Sequence, residues 1–331
     1  MSLLSSPTRP TPVEPLERAS GRRPGHPALA AVVAALAVFL TLILVFHRAI
    51  PDVGGVGLII DTIIPWLGLL IVPLAVLGLV ARRRWSRAAV LVPVFAWALL
   101  FGSATVPLSW SAPAANTAAG TTLTVASQNI EASSSTGDES ALTLAATGAD
   151  VIALEEMTAP DFTTVSSTLA EKYPYSFGVG TVGLWSKYPV VHAQPLPLGL
   201  GWNRALAADL ETPQGLVSIY VIHAASARPG EVSDRDSMLS ALAETLPRDE
   251  NQRVIAVGDF NAALTDRAMS GIEGQLSEAN QSGGLFGNTW PSNMPVTRLD
   301  HLLQRGMQVT SNTTLSAGAS DHRAILTALN L

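Results

Sequence analysis

The sequence predicts an α/β domain carried behind three membrane-crossing helices. Three observations carry that reading. Long apolar stretches recur within the first 110 residues, short β-rich segments alternate with helical ones after residue 120, and the charge changes sign between the two parts. Before residue 118 stand nine arginines against Glu14, Glu17, Asp52 and Asp61, a net +5; the remainder holds eleven basic against twenty-two acidic residues, a net −11, and together they give the chain's −6. The chain has no cysteine, which excludes disulfides and thiolate metal sites and leaves the compartment open.

Residues 1–26 are rich in Pro, Ser and Arg without apolar periodicity, and read as a disordered tail. Residues 27–46 are uncharged and apolar over the length that crosses a hydrocarbon core as a helix. Residues 57–80 and 88–108 repeat the pattern. Three such stretches in succession argue against core helices of a soluble protein, and a cleaved signal peptide fits poorly with so long a first stretch. Arg18, Arg22 and Arg23 precede the first span, and Arg82, Arg83, Arg84 and Arg87 separate the second from the third, whereas the link between the first two holds only Arg48. The positive-inside rule then predicts a multi-pass cell-membrane protein with a cytoplasmic N-terminus. Everything after Trp110 is expected outside the cell, with Trp110 at the outer interface. Asp61 falls about one helical turn inside the outer boundary, where it reads as an acid that reaches water and has no role. Residues 111–120 form a small-residue linker, and 121–331 form the C-terminal domain.

Within that domain 121–130 alternates as a strand and ends at Asn129. A helix over 138–148 follows, then an apolar strand, 150–156, that runs into Glu155 and Glu156, and a helix over 160–172. Residues 180–191 read as two short strands around a turn at Lys187, Tyr188 and Pro189. Residues 204–212 and 215–224 read as a hairpin whose second strand ends in His223, and 232–246 as a helix. In RVIAVGDFNA, 253–262, Gly258 is expected to end a buried strand and let the backbone approach a ligand. Asp259 and Asn261 then project side by side, because positions i and i+2 of extended chain point the same way. A short helix near 265–275, a glycine-rich loop at 282–288, a strand at 298–304 carrying Asp300, and a last strand at 323–329 behind Ser320, Asp321 and His322 complete the domain.

Asn129, Glu155 or Glu156, His223, Asp259, Asn261, Asp300, Asp321 and His322 thus all stand at or beside the ends of apolar strands. Singly, each reads as a turn, cap or satisfied core residue; together they mark the sheet edge where α/β proteins bind ligands. Oxygen and imidazole donors without thiolates suit Mg²⁺ or Mn²⁺. The fitting reaction is hydrolysis of a phosphoester by water, with a carboxylate to orient the water, a carboxamide to donate to phosphate oxygen and an imidazole to move protons. No HExxH pattern is present, which excludes the common zinc peptidases.

The segments NI, DVIALEE, GLWSKYPV, VIHA, VGDFNA, RLDHLL and SDHRAI, in this order, resemble the endonuclease/exonuclease/phosphatase superfamily over about residues 121–331. The resemblance implies a four-layered α/β sandwich with two mixed central sheets and a Mg²⁺- or Mn²⁺-dependent hydrolase of phosphoesters. It implies that Glu156, with Asn129 and Asp321, holds the metal, Glu155 being the substitute for Glu156. Asp259 would orient or deprotonate the water, and Asn261 would contact the scissile phosphate, with Arg204 facing it too. His322 would stabilise the transition state or act as acid/base, with Asp300 fixing its tautomer, and His223 would be a proton donor. His301 receives no chemistry. The substrate is left open among nucleic acid, a phospholipid head group and a small phosphoester. The net −11 of the domain argues against tight non-specific binding of nucleic acid. The bilayer is the one further partner the sequence implies, and no protein partner can be inferred. The alternative reading is a catalytically inactive ligand- or partner-binding module on the same fold.

Overall fold

The structure, a computed structural model, describes residues 25–108 and 122–331. The expected tail up to residue 24, Trp110 and the linker lie outside the described residues. Helices α1 (Pro27–Phe46), α2 (Val56–Ile63), α3 (Ile71–Ala81) and α4 (Arg84–Thr105) come first. Pro27 opens α1, where its missing N–H costs nothing. A 3₁₀ stretch, Ile64–Leu70, joins α2 to α3. Pro65 explains part of the change: it has no N–H to donate four residues back to the Asp61 carbonyl. That carbonyl accepts instead from Thr265 Oγ1 at 2.6 Å. Helix α4 starts at Arg84, ahead of the apolar stretch, because its polar first turn continues the helix and Ser86 Oγ bonds the Arg83 carbonyl. Three helical stretches, Pro27–Ala49, Val56–Ala81 and Arg84–Thr105, are long and apolar enough to cross a membrane, with mean hydropathies of 3.0, 2.5 and 1.9. Their large apolar side chains point outward; Leu99 is 85% exposed and Phe95 69%. Such an outward apolar shell suits lipid, not water.

The remaining chain forms two six-stranded mixed sheets. The strands are β1 (Thr122–Asn129), β2 (Val151–Glu155), β3 (Tyr175–Val179), β4 (Val182–Ser186), β5 (Val190–Pro195), β6 (Ala205–Thr212), β7 (Gly215–His223), β8 (Val254–Asp259), β9 (Ser277–Glu278), β10 (Asp300–Arg305), β11 (Gln308–Leu315) and β12 (Ala324–Asn330). Their orders are β11-β12-β1-β2-β4-β3 and β5-β6-β7-β8-β10-β9. Only β1 with β2 and β7 with β8 pair in parallel. The sheets stack through side chains such as Val125, Ala153, Val221, Val257 and Leu302. Helices α5 (Gly137–Ala146) and α6 (Ala159–Leu169) cover the first sheet, and α7 (Ser233–Thr245) and α8 (Ser270–Glu273) cover the second. The four-layered α/β sandwich is therefore present, with three long apolar helices ahead of it.

The two strands around Lys187, Tyr188 and Pro189 do not pair with each other: β4 belongs to the first sheet and β5 to the second, so this turn carries the chain across the sandwich. Gly258 does not end β8 but lies within it, and a Cβ there would meet the Ile222 carbonyl oxygen at 2.1 Å. The close approach it allows is to β7. Asp61 also departs from expectation. It is fully buried, beyond the reach of water. Its Oδ1 lies 2.8 Å from His47 Nδ1, and its Oδ2 accepts from Arg267 Nε at 2.7 Å and from the Arg267 backbone N–H at 3.2 Å. Arg48 bonds Glu273 at 2.7 Å, Trp66 Nε1 donates to the Val296 carbonyl at 2.8 Å, and the Leu285 N–H donates to the Thr105 carbonyl at 3.1 Å. The sandwich is thereby fastened to the ends of α1, α2 and α4, the ends opposite the Arg82–Arg87 turn.

Candidate active site

Strand register brings the candidate residues together. Asn129 pairs with Glu155 at the ends of β1 and β2, and His223 and Asp300 both flank Asp259. Side chains alternate along a strand, so Glu155 follows Val151 and Ala153 into the space between the sheets. Glu156 lies one residue beyond β2 with φ 59°, and this left-handed turn leaves it half-buried in the cleft. The two acids are thus distinguished by geometry: Glu156 faces the cleft, and Glu155 is sealed beneath it.

At the floor, Asp259 Oδ2 accepts from Asn129 Nδ2 at 3.0 Å and Asn261 Nδ2 at 3.1 Å, and its Oδ1 accepts from the Asn261 backbone N–H at 2.8 Å. Asn261 sits at φ 47°, a conformation asparagine tolerates. The second hydrogen of its amide goes to the Ala224 carbonyl at 3.0 Å. Both amide hydrogens are therefore bonded within the protein, and Asn261 holds Asp259 in place. His322 Nδ1 lies 2.8 Å from Asp300 Oδ2, and its Nε2 lies 3.9 Å from Asp321 Oδ1. Ser320 Oγ ties this corner together, donating to the Asn129 carbonyl at 2.6 Å and accepting from the His322 N–H at 3.0 Å.

The charges at the floor are strongly coupled. Burial pushes Asp259 up to about 6, and Asp300 beside it adds to the rise. Burial works against a charged His322, but the Asp300 and Asp259 carboxylates outweigh it and raise the ring to about 10. Burial, then Asp300, holds Glu155 well above the usual carboxylate range. Among the described residues, Glu155 Oε2 and Asp300 Oδ1 are buried without a hydrogen-bond partner. Burial also raises Glu156, which Asn129 and the His322 charge partly offset.

His223 and Arg204 form a separate wall. Arg204 Nε donates to the His223 carbonyl at 2.9 Å, and Nη2 to His223 Nε2 at 2.5 Å and the Ala224 carbonyl at 3.1 Å. An arginine can only donate, so Nε2 is an acceptor and Nδ1 carries the hydrogen, 2.9 Å from Thr181 Oγ1. Burial, then Arg204, holds His223 well below its ordinary value. With Nε2 accepting from Arg204, this neutral ring carries its one N–H on Nδ1. The stacking of Arg204 on Trp202, at 4.5 Å, and the bond from Trp290 Nε1 to Asp321 Oδ2, at 3.0 Å, were not anticipated. Neither tryptophan belongs to a polar strand end, the signal used to collect the others. His301, fully buried, bonds Glu278 and, at 2.8 Å, the Ala262 carbonyl, away from the cleft.

The donor set of the cleft is hard and oxygen-rich, chemistry that suits a divalent cation. Asp259, Asp300 and His322 offer ligand atoms within 4.8 Å of one another. In that triad, however, His322 Nδ1 is bonded to Asp300 and Asp259 already accepts three hydrogen bonds. The cleft-facing Glu156, with Asn129 bonded to it and Asp321 nearby, is the better cation position.

The sequence model of the endonuclease/exonuclease/phosphatase family matches residues 126–322, more than half of the chain. Truncated Caenorhabditis elegans TDP2 superposes with a TM-score of 0.55 at 17% identity, over 64% of this chain and 99% of that one. A Staphylococcus aureus beta toxin mutant with bound magnesium ions gives 0.52 at 16%, over 62% and 98%. A Bacteroides thetaiotaomicron protein of the same family gives 0.51 at 18%, over 63% and 95%. At these identities the likeness is one of fold. No curated protein matches the chain.

Proposed function

The chain belongs to the endonuclease/exonuclease/phosphatase family, and from that premise we propose that it is a membrane-anchored, divalent-metal-dependent phosphoesterase. The observation that carries the proposal is the pairing of a hydrogen-bonded Asp259 with an Asp300-held His322 on one floor beside Glu156. In this reading Asp259, oriented by Asn129 and Asn261, takes the proton of the attacking water. The His322 imidazolium, its Nδ1 held by Asp300, directs Nε2–H at the phosphoryl group, stabilises its growing negative charge and protonates the leaving oxygen. Arg204, braced by His223, supplies a second positive charge at the wall. Mg²⁺ or Mn²⁺ held by Glu156, with Asn129 and Asp321, would supply charge neutralisation of the phosphate. The magnesium in the beta toxin mutant supports that choice of ion.

The three long apolar helices support the anchor, and the arginines at the Arg82–Arg87 turn support an orientation with the sandwich outside the cell. The phosphoester is then one that reaches the outer membrane face: a lipid head group, a nucleic acid or a small phosphoester. The test is a substrate panel run on the full chain with Mg²⁺, with Mn²⁺ and with chelator, beside His322→Ala. Metal-dependent turnover that the variant lacks is expected. Turnover of no phosphoester in the panel would leave the protein a binding module.

A further inference from the structure

A cavity of about 540 Å³ lies between the helix ends and the sandwich. Its volume is in the range of small-molecule sites, about 300–1,000 Å³. It lies behind the catalytic floor. His301, in its wall, follows Asp300 on β10, so the two side chains leave opposite faces of the sheet.

The wall changes character along its length. On the helix side it is mostly apolar, and Val45, Trp66 and Leu100 there are also 47%, 39% and 44% exposed, so the cavity opens onto the surface that the helices turn outward. On the sandwich side, and at Arg48 on the helix end facing it, the wall is polar, but its charges are already matched. Arg48 bonds Glu273 at 2.7 Å, and Glu278 pairs with Arg298 at 3.1 Å and with His301.

We infer that this cavity binds one molecule of membrane lipid whose head carries no net charge. Its chain lies against Trp66 and Leu100, and its head lies toward the matched charges of the sandwich side. Burying an anionic head would leave its charge uncompensated, since every cation in the wall is taken. The inference rests on the anchor reading and not on catalysis; the site is distinct from the cleft that hydrolyses substrate.

The test uses the full chain in lipid nanodiscs containing traces of phosphatidylcholine with a photoreactive diazirine in the chain. Adducts are mapped by mass spectrometry. Labelling concentrated on Trp66 and the 100–104 segment, above that at the outward-facing Phe95 and Leu99, is expected. Ala104→Trp, which fills the cavity, should lower it by roughly an order of magnitude, equivalent to about 1.4 kcal/mol of binding. Ser103→Phe replaces it should the first variant not accumulate. A phosphatidylglycerol probe should label the cavity more weakly. Equal labelling of Phe95 and the cavity, no response to either filling variant, or stronger labelling by the anionic probe would overturn the inference. Fractionation of the same preparation separates the premises. A chain found in the soluble fraction overturns the anchor and the lipid site together, whereas a membrane-bound chain with an unlabelled cavity overturns the site alone. Hydrolysis of a soluble phosphodiester, followed in parallel, reports the catalytic reading independently.

Discussion

Two buried aspartate–histidine pairs occur among the described residues, and their geometry is nearly the same. Asp61 and Asp300 are both fully buried, and each has a carboxylate oxygen 2.8 Å from a histidine Nδ1. Their surroundings differ. The second oxygen of Asp61 receives two hydrogen bonds from Arg267, so the acid is balanced by a permanent cation. The second oxygen of Asp300 receives none, and Asp259 and Glu155 crowd the same space. The first pair is a joint between helices and sandwich. The second is an excess of acid around one imidazole, the arrangement that shifts proton affinities and that functional sites maintain at a cost in stability.

The sharpest way to break this comparison is His322→Ala. Loss of a positioned acid/base group should lower phosphoester turnover by about 10²–10⁴-fold, with a thermal midpoint close to that of the parent. A variant that melts early but turns over normally would make this cluster a joint like the other. Arg267→Met should do the reverse. Removing one partner of a buried ion pair costs about 3–5 kcal/mol, visible in the denaturant midpoint, and turnover per folded molecule should be retained. Equal loss of turnover and stability would mean that the two regions are one unit.

A smaller effect is expected in the pH profile. The folded pKa of His322 is raised, so the ring stays charged until the pH passes about 10. Activity that needs the imidazolium should persist to that pH and fall beyond it. Asp300→Asn removes the main source of the rise, so the alkaline limb of kcat/KM should move to lower pH; an unmoved limb would assign it to another group. Glu155→Gln should be the mildest. The raised folded pKa means that the native protein keeps a proton the unfolded chain releases above its ordinary value of 4.5. Stability conferred by that proton falls as pH rises. Glutamine should flatten this decline in midpoint with pH and leave turnover nearly intact. A slope unchanged by the substitution would mean that Glu155 is ionised in the fold.

Much of the site could be read from the chain because its residues end apolar strands, and apolar runs are legible locally. Asn129, Glu156, Asp259, Asp300 and His322 all carry that local signal, and the register of β1, β2, β8, β10 and β12 gathers them. What escaped lacked a local signal. β3 and β11 lie at the sheet edges and are mostly only partly buried, and β11 is largely polar, so their local signal is weak. The crossing of β4 and β5 into different sheets depends on pairings far along the chain. Arg267 lies more than two hundred residues from Asp61, and nothing near Asp61 announces it. The hydrogen bonds that make His223 an acceptor likewise appear only once Arg204 is folded against it.

The loop between β9 and β10 has a consequence of scale. Trp290 bonds Asp321 at the cleft, and Val296, six residues on, caps the Trp66 indole on the second apolar helix. Between them the chain doubles back: the Trp290 carbonyl accepts from the Val296 N–H at 2.9 Å and from the Thr297 N–H at 3.1 Å. One tight turn therefore ties the cleft to the helix ends and sets the height between them. On the proposed function, a phosphoester whose phosphorus is held at the wrong height would never meet Arg204 or His322, so selection would begin before either is touched.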